Sequence, residues 1–212
     1  MKPKIGIMDY GVGNLHSIRK GFENAGAKCV IVREAKKLLN HDCIVLPGVG
    51  AFGASMMKIL PVKDELNTRL DSGTPALGIC IGFQILFEKS EEEPEVDGLG
   101  LVKGSVRMLK QRVRGETGES IKIPHMGWNT VRHIGSGIFN KIRQEQEFYF
   151  VHSYICVPDE KTHVIAETTY GRKFASAIRY KNTFGVQFHP EKSADPGLKI
   201  LENFVKISEE VL

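Results

Sequence analysis

The sequence predicts an α/β fold, a three-layer single domain built around a mostly parallel sheet with an antiparallel extension. Three observations carry this. In the first ninety or so residues, short apolar runs alternate with stretches of helical periodicity, which is the pattern of strands buried on both faces by crossover helices. From Gly98 onward the apolar runs succeed one another through turns, with no helical stretch until the last segment. A chain of 212 residues, 42% hydrophobic, can bury one full core, and no repeat or low-complexity linker divides it.

Ile5, Gly6, Ile7 and Met8 form the first strand, stopped by Asp9-Tyr10-Gly11-Val12-Gly13-Asn14. Leu15, Ile18, Phe22 and Ala25 recur at helical spacing and Gly26 stops them, so residues 15–25 are a helix. Strands follow over residues 29–32 and 43–46. Pro47-Gly48-Val49-Gly50 then breaks the pattern before a helical stretch over residues 54–70. Residues 76–79 are the next strand, followed by an apolar helix pattern in Phe83, Ile85, Leu86 and Phe87, and the acidic run from Glu88 to Glu95 reads as an exposed loop. Strands are expected over residues 101–109, 130–133, 148–152, 164–168, 174–180 and 184–188. The closing helix starts at Asp195 as its cap, with Pro196 in the first turn, and runs through Leu198, Leu201, Phe204 and Val205.

Composition excludes several functions. A net charge of +4 is too modest to argue for nucleic acid. The densest basic stretch, Arg107, Lys110, Arg112 and Arg114, reads as a solvated hairpin face, with a partner or phosphate contact as the alternative. Cys29, Cys43, Cys80 and Cys156 make no Cys-x-x-Cys pair and no metal-type spacing with histidine, so neither a metal nor a cofactor is expected. No apolar run approaches the roughly 18 residues of a membrane span. The start of the chain leads straight into a short strand rather than a signal-peptide core. The expectation is a reduced, cytoplasmic protein.

The chemistry centres on Gly78-Ile79-Cys80-Ile81-Gly82, a cysteine between two glycines at a strand end with a helix pattern after it. Such an elbow raises the reactive atom on a tight turn, and the helix start lends it positive potential. Far downstream, Phe184-Gly185-Val186-Gln187-Phe188-His189-Pro190-Glu191 places a histidine and a carboxylate two apart beyond another apolar strand. Cys80 as nucleophile, His189 as base and Glu191 as the group that orients the ring make a complete covalent-catalysis set. His152 is the competing base, but no carboxylate lies near it in sequence. Cys29, Cys43 and Cys156 read as buried strand residues. A developing oxyanion needs donors: the backbone N–H of Ile81 is one, and Val49 or Gly50 in the glycine-rich loop can supply the second. Gln84, one helical turn past Cys80, suits a polar substrate. Gly48-Val49-Gly50, Cys80 and His189 all follow predicted strand ends, and in open α/β sheets ligands sit beyond those ends. Trp128 lies in the polar stretch Pro124-His125-Met126-Gly127-Trp128-Asn129, read as a turn, where it is either an interface anchor or a residue covering the sheet.

These segments, together with Tyr149-Phe150-Val151-His152-Ser153-Tyr154 and Phe188-His189-Pro190-Glu191-Lys192-Ser193, resemble the class I, triad-type glutamine amidotransferases over nearly the whole chain and in the right order. Pro124-His125-Met126-Gly127-Trp128-Asn129 and Lys192-Ser193 are similar to the glutaminase-subunit family of imidazole glycerol phosphate synthase. The resemblance implies that Cys80 attacks the side-chain amide of glutamine, His189 moves protons and Glu191 orients it. It implies that Gln84, Gly50 and the backbone near Ser153 hold glutamine, and that Asn14, Trp128 and Lys192 meet a (β/α)8-barrel cyclase subunit. That heterodimeric partner takes up ammonia through its interior and makes imidazole glycerol phosphate and an aminoimidazole carboxamide ribotide in histidine biosynthesis. It also implies an oxyanion loop that rests turned away until the partner binds its nucleotide. Residues 110–120 look like a local extension with no functional reading.

Three rivals stand beside this reading. One is a paralogous glutaminase subunit feeding another synthase, for pyridoxal phosphate or for sugar modification. Another is a Cys-His peptidase, against which Glu191 and Gln84 argue. The third is a non-catalytic binding module, against which an intact triad argues.

Overall fold

Alternation along the short strands decides which layer covers which side chain. In β1 (Lys4–Met8) and β3 (Cys43–Leu46), Ile5, Ile7 and Val45 point to one face of the sheet while Met8, Ile44 and Leu46 point to the other. The first face is covered by α1 (Leu15–Asn24) and, from the far end of the chain, α6 (Ala194–Val211), through Ile18, Phe22, Leu201 and Phe204. The second face is covered by α2 (Ala35–Leu38), α3 (Phe52–Ile59) and α4 (Lys63–Asp71), through Leu38, Phe52, Met56 and Leu66. Two apolar cores on opposite sides of one sheet make the three layers that the sequence predicts.

The computed structural model describes residues 2–110 and 121–212. The remaining elements are β2 (Lys28–Val32), β4 (Ala76–Ile79), α5 (Ile81–Gln84), β5 (Phe87–Ser90), β6 (Val102–Met108), β7 (His125–His133), β8 (Gln146–His152), β9 (Tyr154–Pro158), β10 (Val164–Tyr170), β11 (Arg172–Tyr180) and β12 (Thr183–Val186). Among the described residues the sheet runs β2-β1-β3-β4-β12-β11-β10-β7-β8. It is parallel from β2 to β12 and antiparallel from there to β8. A branch of β5, β6 and β9 joins it where Cys156 pairs with Ala175.

Several expectations need correction. The helical stretch over residues 54–70 is two helices, because Pro61 has no N–H and crowds the carbonyl four residues back; residues Leu60–Val62 form a 3-10 turn between α3 and α4. The helix after Cys80 is only α5, four residues long. Phe87 opens a strand instead, paired in parallel with β6. Phe83, Ile85, Leu86 and Phe87 are all buried, and a run buried throughout carries no periodicity to separate helix from strand. The acidic run is accordingly part strand, and Glu92 and Glu93 are half-buried rather than exposed. The stretch 124–129 is no turn: His125 to Asn129 pair with β8 as the first half of β7. Strand β9 and the short helix α2 have no counterpart in the sequence reading. Ser193, not Asp195, precedes the first turn of α6, and its hydroxyl donates to the His189 carbonyl (2.6 Å) instead of capping the helix. Arg107 and Lys110 are exposed, as a solvated face requires, while Arg112, Arg114 and nearly all of the 110–120 extension lie outside the described residues. No described helix is long and apolar enough to cross a membrane.

Candidate active site

Cys80 sits between β4 and α5 with φ 51° and ψ −104°, a conformation costing a non-glycine residue about 1–3 kcal/mol. The surroundings impose it. A Cβ on Gly82 would overlap the Leu46 carbonyl and one on Gly78 would lie 2.5 Å from the Gly82 oxygen, so the turn closes only with glycine on both sides. Cys80 N–H donates to Val186 O (2.8 Å) and its own carbonyl accepts from Phe83 and Gln84 N–H, locking the elbow to β12 and to α5. The residue is 8% exposed.

The same pairing fixes the histidine. Ile79 is in register with Val186, so β12 runs beside β4 and delivers His189 to the same sheet edge. Ser193 Oγ donates to His189 O and accepts from Tyr149 N–H (2.9 Å), and His189 N–H donates to Tyr149 O (2.9 Å), pinning the backbone on both sides. His189 Nδ1 lies 2.8 Å from Glu191 Oε1, with both side chains almost wholly buried. The other ring nitrogen is buried without a hydrogen-bond partner, near enough to Cys80 for the two groups to feel each other's charge. Burial by itself would push this imidazole down, but charge and hydrogen bonding from Cys80, and then from Glu191, together raise it to about 10. Its two neighbours therefore favour the protonated ring. The three residues that the sequence puts forward as a triad are brought together.

His152 is the opposite case. Its Nδ1 is 2.8 Å from Tyr154 O and its Nε2 2.9 Å from His125 Nδ1, and burial pulls its pKa down to about 3. With both nitrogens occupied, it is not free to act as a base. Cys29, Cys43 and Cys156 are thiols that burial pushes to about 12, to about 11 and well above the ordinary range, which agrees with their reading as strand residues.

A cavity of about 330 Å³ opens over the sulfur, lined by Gly48, Val49, Gly50, Ile81, Gln84 and Ser153 among others. All the predicted oxyanion and substrate residues thus face one space. Ile81 opens α5, so its N–H is in the first turn, where backbone donors lack an intrahelical acceptor. Gly50 has φ +125°, a value side chains rarely adopt, and the loop it belongs to packs against Val12 and Gly13. Gln84 Nε2 donates to Tyr154 O (3.3 Å) and Gln187 Oε1 (3.4 Å), and Gln187 Nε2 donates to Cys80 Sγ (3.7 Å).

Gln187 and Glu92 are the residues that sequence reading missed. Gln187 is a buried polar group in an apolar strand end, a signal visible two residues before His189. Glu92 lines the cavity and accepts from Phe52 N–H (2.9 Å), while Glu93 accepts from Gly53 N–H (3.1 Å). These carboxylates hold the positive end of α3, whose own cap, Ala51, has no side chain able to do so. A larger cavity of about 560 Å³ lies on the antiparallel extension against Arg172 and Phe174, and none of the triad borders it.

Of the predicted interface residues, Trp128 is 50% exposed and packs edge-on against Tyr149, over whose ring the Lys192 ammonium sits at 5.7 Å. Trp128 and Lys192 thus flank one aromatic ring. Asn14 is exposed, accepts from Ser17 N–H (3.2 Å) to cap α1, and borders a small space beside Glu191.

The fold and this site define a class that the comparisons name. The family model for glutamine amidotransferase class-I matches residues 6–207, and the chain belongs to that family. Among solved structures, PurLQS from Thermotoga maritima superposes with TM-score 0.72 at 19% identity, over 97% of this chain and 99% of that one. A glutamine amidotransferase from the same organism gives 0.66 at 17%, over 100% and 98%. Within the class the chain groups with the imidazole glycerol phosphate synthase subunits HisH. It is 46% identical to that of Methanocaldococcus jannaschii, over 96% of this chain and 99% of the relative, and 41% identical to that of Aquifex aeolicus, over 97% of each.

Proposed function

We propose that the chain, as one glutaminase domain over residues 1–212, hydrolyses glutamine and passes ammonia to a (β/α)8-barrel cyclase subunit of a heterodimeric imidazole glycerol phosphate synthase in histidine biosynthesis. The observation that carries this is the buried line Cys80, His189, Glu191 at the ends of two adjacent parallel strands, in a chain aligned with HisH relatives over nearly its full length.

The Cys80 sulfur, paired with the His189 imidazolium, attacks the carbon of the glutamine side-chain amide. The electron pair moved onto oxygen meets the N–H of Ile81 and one from Val49 or Gly50, each such donor being worth on the order of a hundredfold or more in rate. His189 gives its proton to the amide nitrogen, the C–N bond breaks and ammonia leaves a thioester. Water then attacks that carbon, His189 takes the water's proton, and the C–S bond breaks to give glutamate and restore the pair. Glutamine lies along Gly50, Gln84 and the backbone at Ser153. Glu92 is the one carboxylate on the described wall of the cavity, placed to attract the substrate's ammonium group.

Asn14, Trp128 and Lys192 face the barrel partner. The protein works in the cytoplasm, a compartment that keeps four cysteines reduced; all four are free thiols here. Assay of the full chain with and without the nucleotide-loaded barrel partner tests the reading. Glutamine hydrolysis is expected to be slow alone and orders of magnitude faster in the liganded complex, with product formed from glutamine. A full rate without the partner would overturn the coupled mechanism.

A further inference from the structure

Two buried histidines, His152 on the cavity wall and His125 behind it, take no part in the chemistry described above. His125 is 2% exposed and His152 5%. His125 is sandwiched between the rings of Tyr170 (3.9 Å between centroids) and Phe150 (4.8 Å), and Phe174 lies edge-on to both histidines. Such an aromatic cage holds them neutral, and burial lowers them to about 4 and about 3.

A neutral imidazole has one N–H, so the direction of the hydrogen-bond chain follows from its fixed end. Tyr154 O only accepts, hence His152 Nδ1 carries the hydrogen (2.8 Å). His152 Nε2 must then accept from His125 Nδ1–H (2.9 Å), and His125 Nε2 must accept from Asn129 Nδ2 (3.2 Å). Asn129 is oriented independently, since its Oδ1 accepts from Thr130 N–H (2.8 Å) and its Nδ2 also donates to Thr169 O (3.1 Å). Every link agrees on one direction, from Asn129 through His125 and His152 to Tyr154 O.

That carbonyl is also where Gln84 rests. Gln84 Nε2 donates to Tyr154 O and to Gln187 Oε1, so its amide nitrogen is consumed on the protein side. The amide oxygen of Gln84, in the cavity that Glu92 also lines, is thereby left as an acceptor. We propose that Asn129, His125 and His152 are positioning residues that fix the Tyr154 carbonyl and so keep the Gln84 amide oxygen presented to the ammonium group of glutamine. This rests on the reading of Gln84 as a glutamine contact. The chain tunes substrate affinity first, since its own links end at Tyr154 O and reach the sulfur only at second hand, through Gln84 and Gln187.

The isosteric Asn129→Asp replaces the donor by an acceptor, which reverses both tautomers and sets a bare His152 Nδ1 against the Tyr154 carbonyl. With the isolated full chain, KM for glutamine is expected to rise tenfold or more with kcat changed less than threefold, and Asn129→Ala to give a smaller rise of the same kind. In the unsubstituted chain, nitrogen-15 NMR should show both histidines as neutral Nδ1–H tautomers. Gln84→Ala separates the two readings. If it raises KM while Asn129→Asp leaves KM unchanged or lowers kcat alone, the positioning chain is wrong and the glutamine contact stands. If Gln84→Ala leaves KM unchanged, the contact itself is wrong. An Nε2–H tautomer or a cationic ring at either histidine at neutral pH overturns the proposed direction.

Discussion

The parallel and antiparallel halves of the sheet meet at the cavity and give it different things. From β3, β4 and β12 come short segments at one sheet edge: a glycine loop, a strained cysteine and a histidine whose backbone is pinned on both sides. From β7, β8 and β9 come carbonyls, a caged histidine pair and an exposed tryptophan. On the proposed mechanism the first half sets what happens to a bond, the second which molecule is held and who stands outside. The difference follows from geometry, since parallel strands end together where a ligand can reach them, whereas antiparallel neighbours present their lengths and their turns.

The comparison breaks most readily at the sulfur. Cys80→Ala should lower glutamine-dependent turnover by roughly 10⁴-fold or more, while the complex still forms product from added ammonium salt. Turnover surviving the change would mean that the parallel half does not own the chemistry. Glu191→Gln removes one of the influences that raise His189, so the imidazole should titrate below about 10 and kcat should fall by roughly 10⁴-fold, as for other buried orienting carboxylates. NMR titration alongside kinetics checks both.

Trp128→Ala should weaken assembly with the barrel partner by about tenfold, the scale of a truncated aromatic anchor, measured as a change in Kd. Lys192→Glu should reduce stimulation by the partner more than it reduces the melting temperature. The smallest effect sharpens the contrast through pH. His189 is raised by folding, so its stabilisation is complete below about 6.5 and is lost as pH rises toward about 10. His125 and His152 are lowered, so theirs is present above about 6.5 and is lost as pH falls toward about 4 and about 3. Denaturant midpoints across pH should show His152→Phe flattening the acid limb and His189→Phe the alkaline one; the reverse assignment would contradict the caged-pair geometry.

How much of this was legible depended on whether local chemistry or long-range pairing decided the outcome. The strands over residues 43–46 and 76–79 were readable to the residue, because a buried parallel strand is a short apolar run and a proline marks the end of the one (Pro47) and the start of the other (Pro75). Cys80, His189 and Glu191 stood out as candidates because glycines flank the cysteine and a carboxylate follows the histidine by two. By contrast, β9 and the first half of β7 are held by partners distant in sequence, Met108 beside Tyr154 and His152 beside His125, and their polar or mixed composition carries no local signal. Glu92 was hidden for the same reason, since what makes it more than a surface acid is a helix end forty residues earlier.

One consequence follows from the pairing of β4 with β12. The spacing of sulfur and imidazole is inherited from the sheet ladder, while the loop of Gly48, Val49 and Gly50 belongs to the separate β3–α3 connection resting on Val12 and Gly13. If the loop supplies the second oxyanion donor as proposed, loading the weapon and releasing the safety are tasks of different backbone segments. A partner that shifts only the second could withhold ammonia from an empty synthase without ever having to rebuild the first.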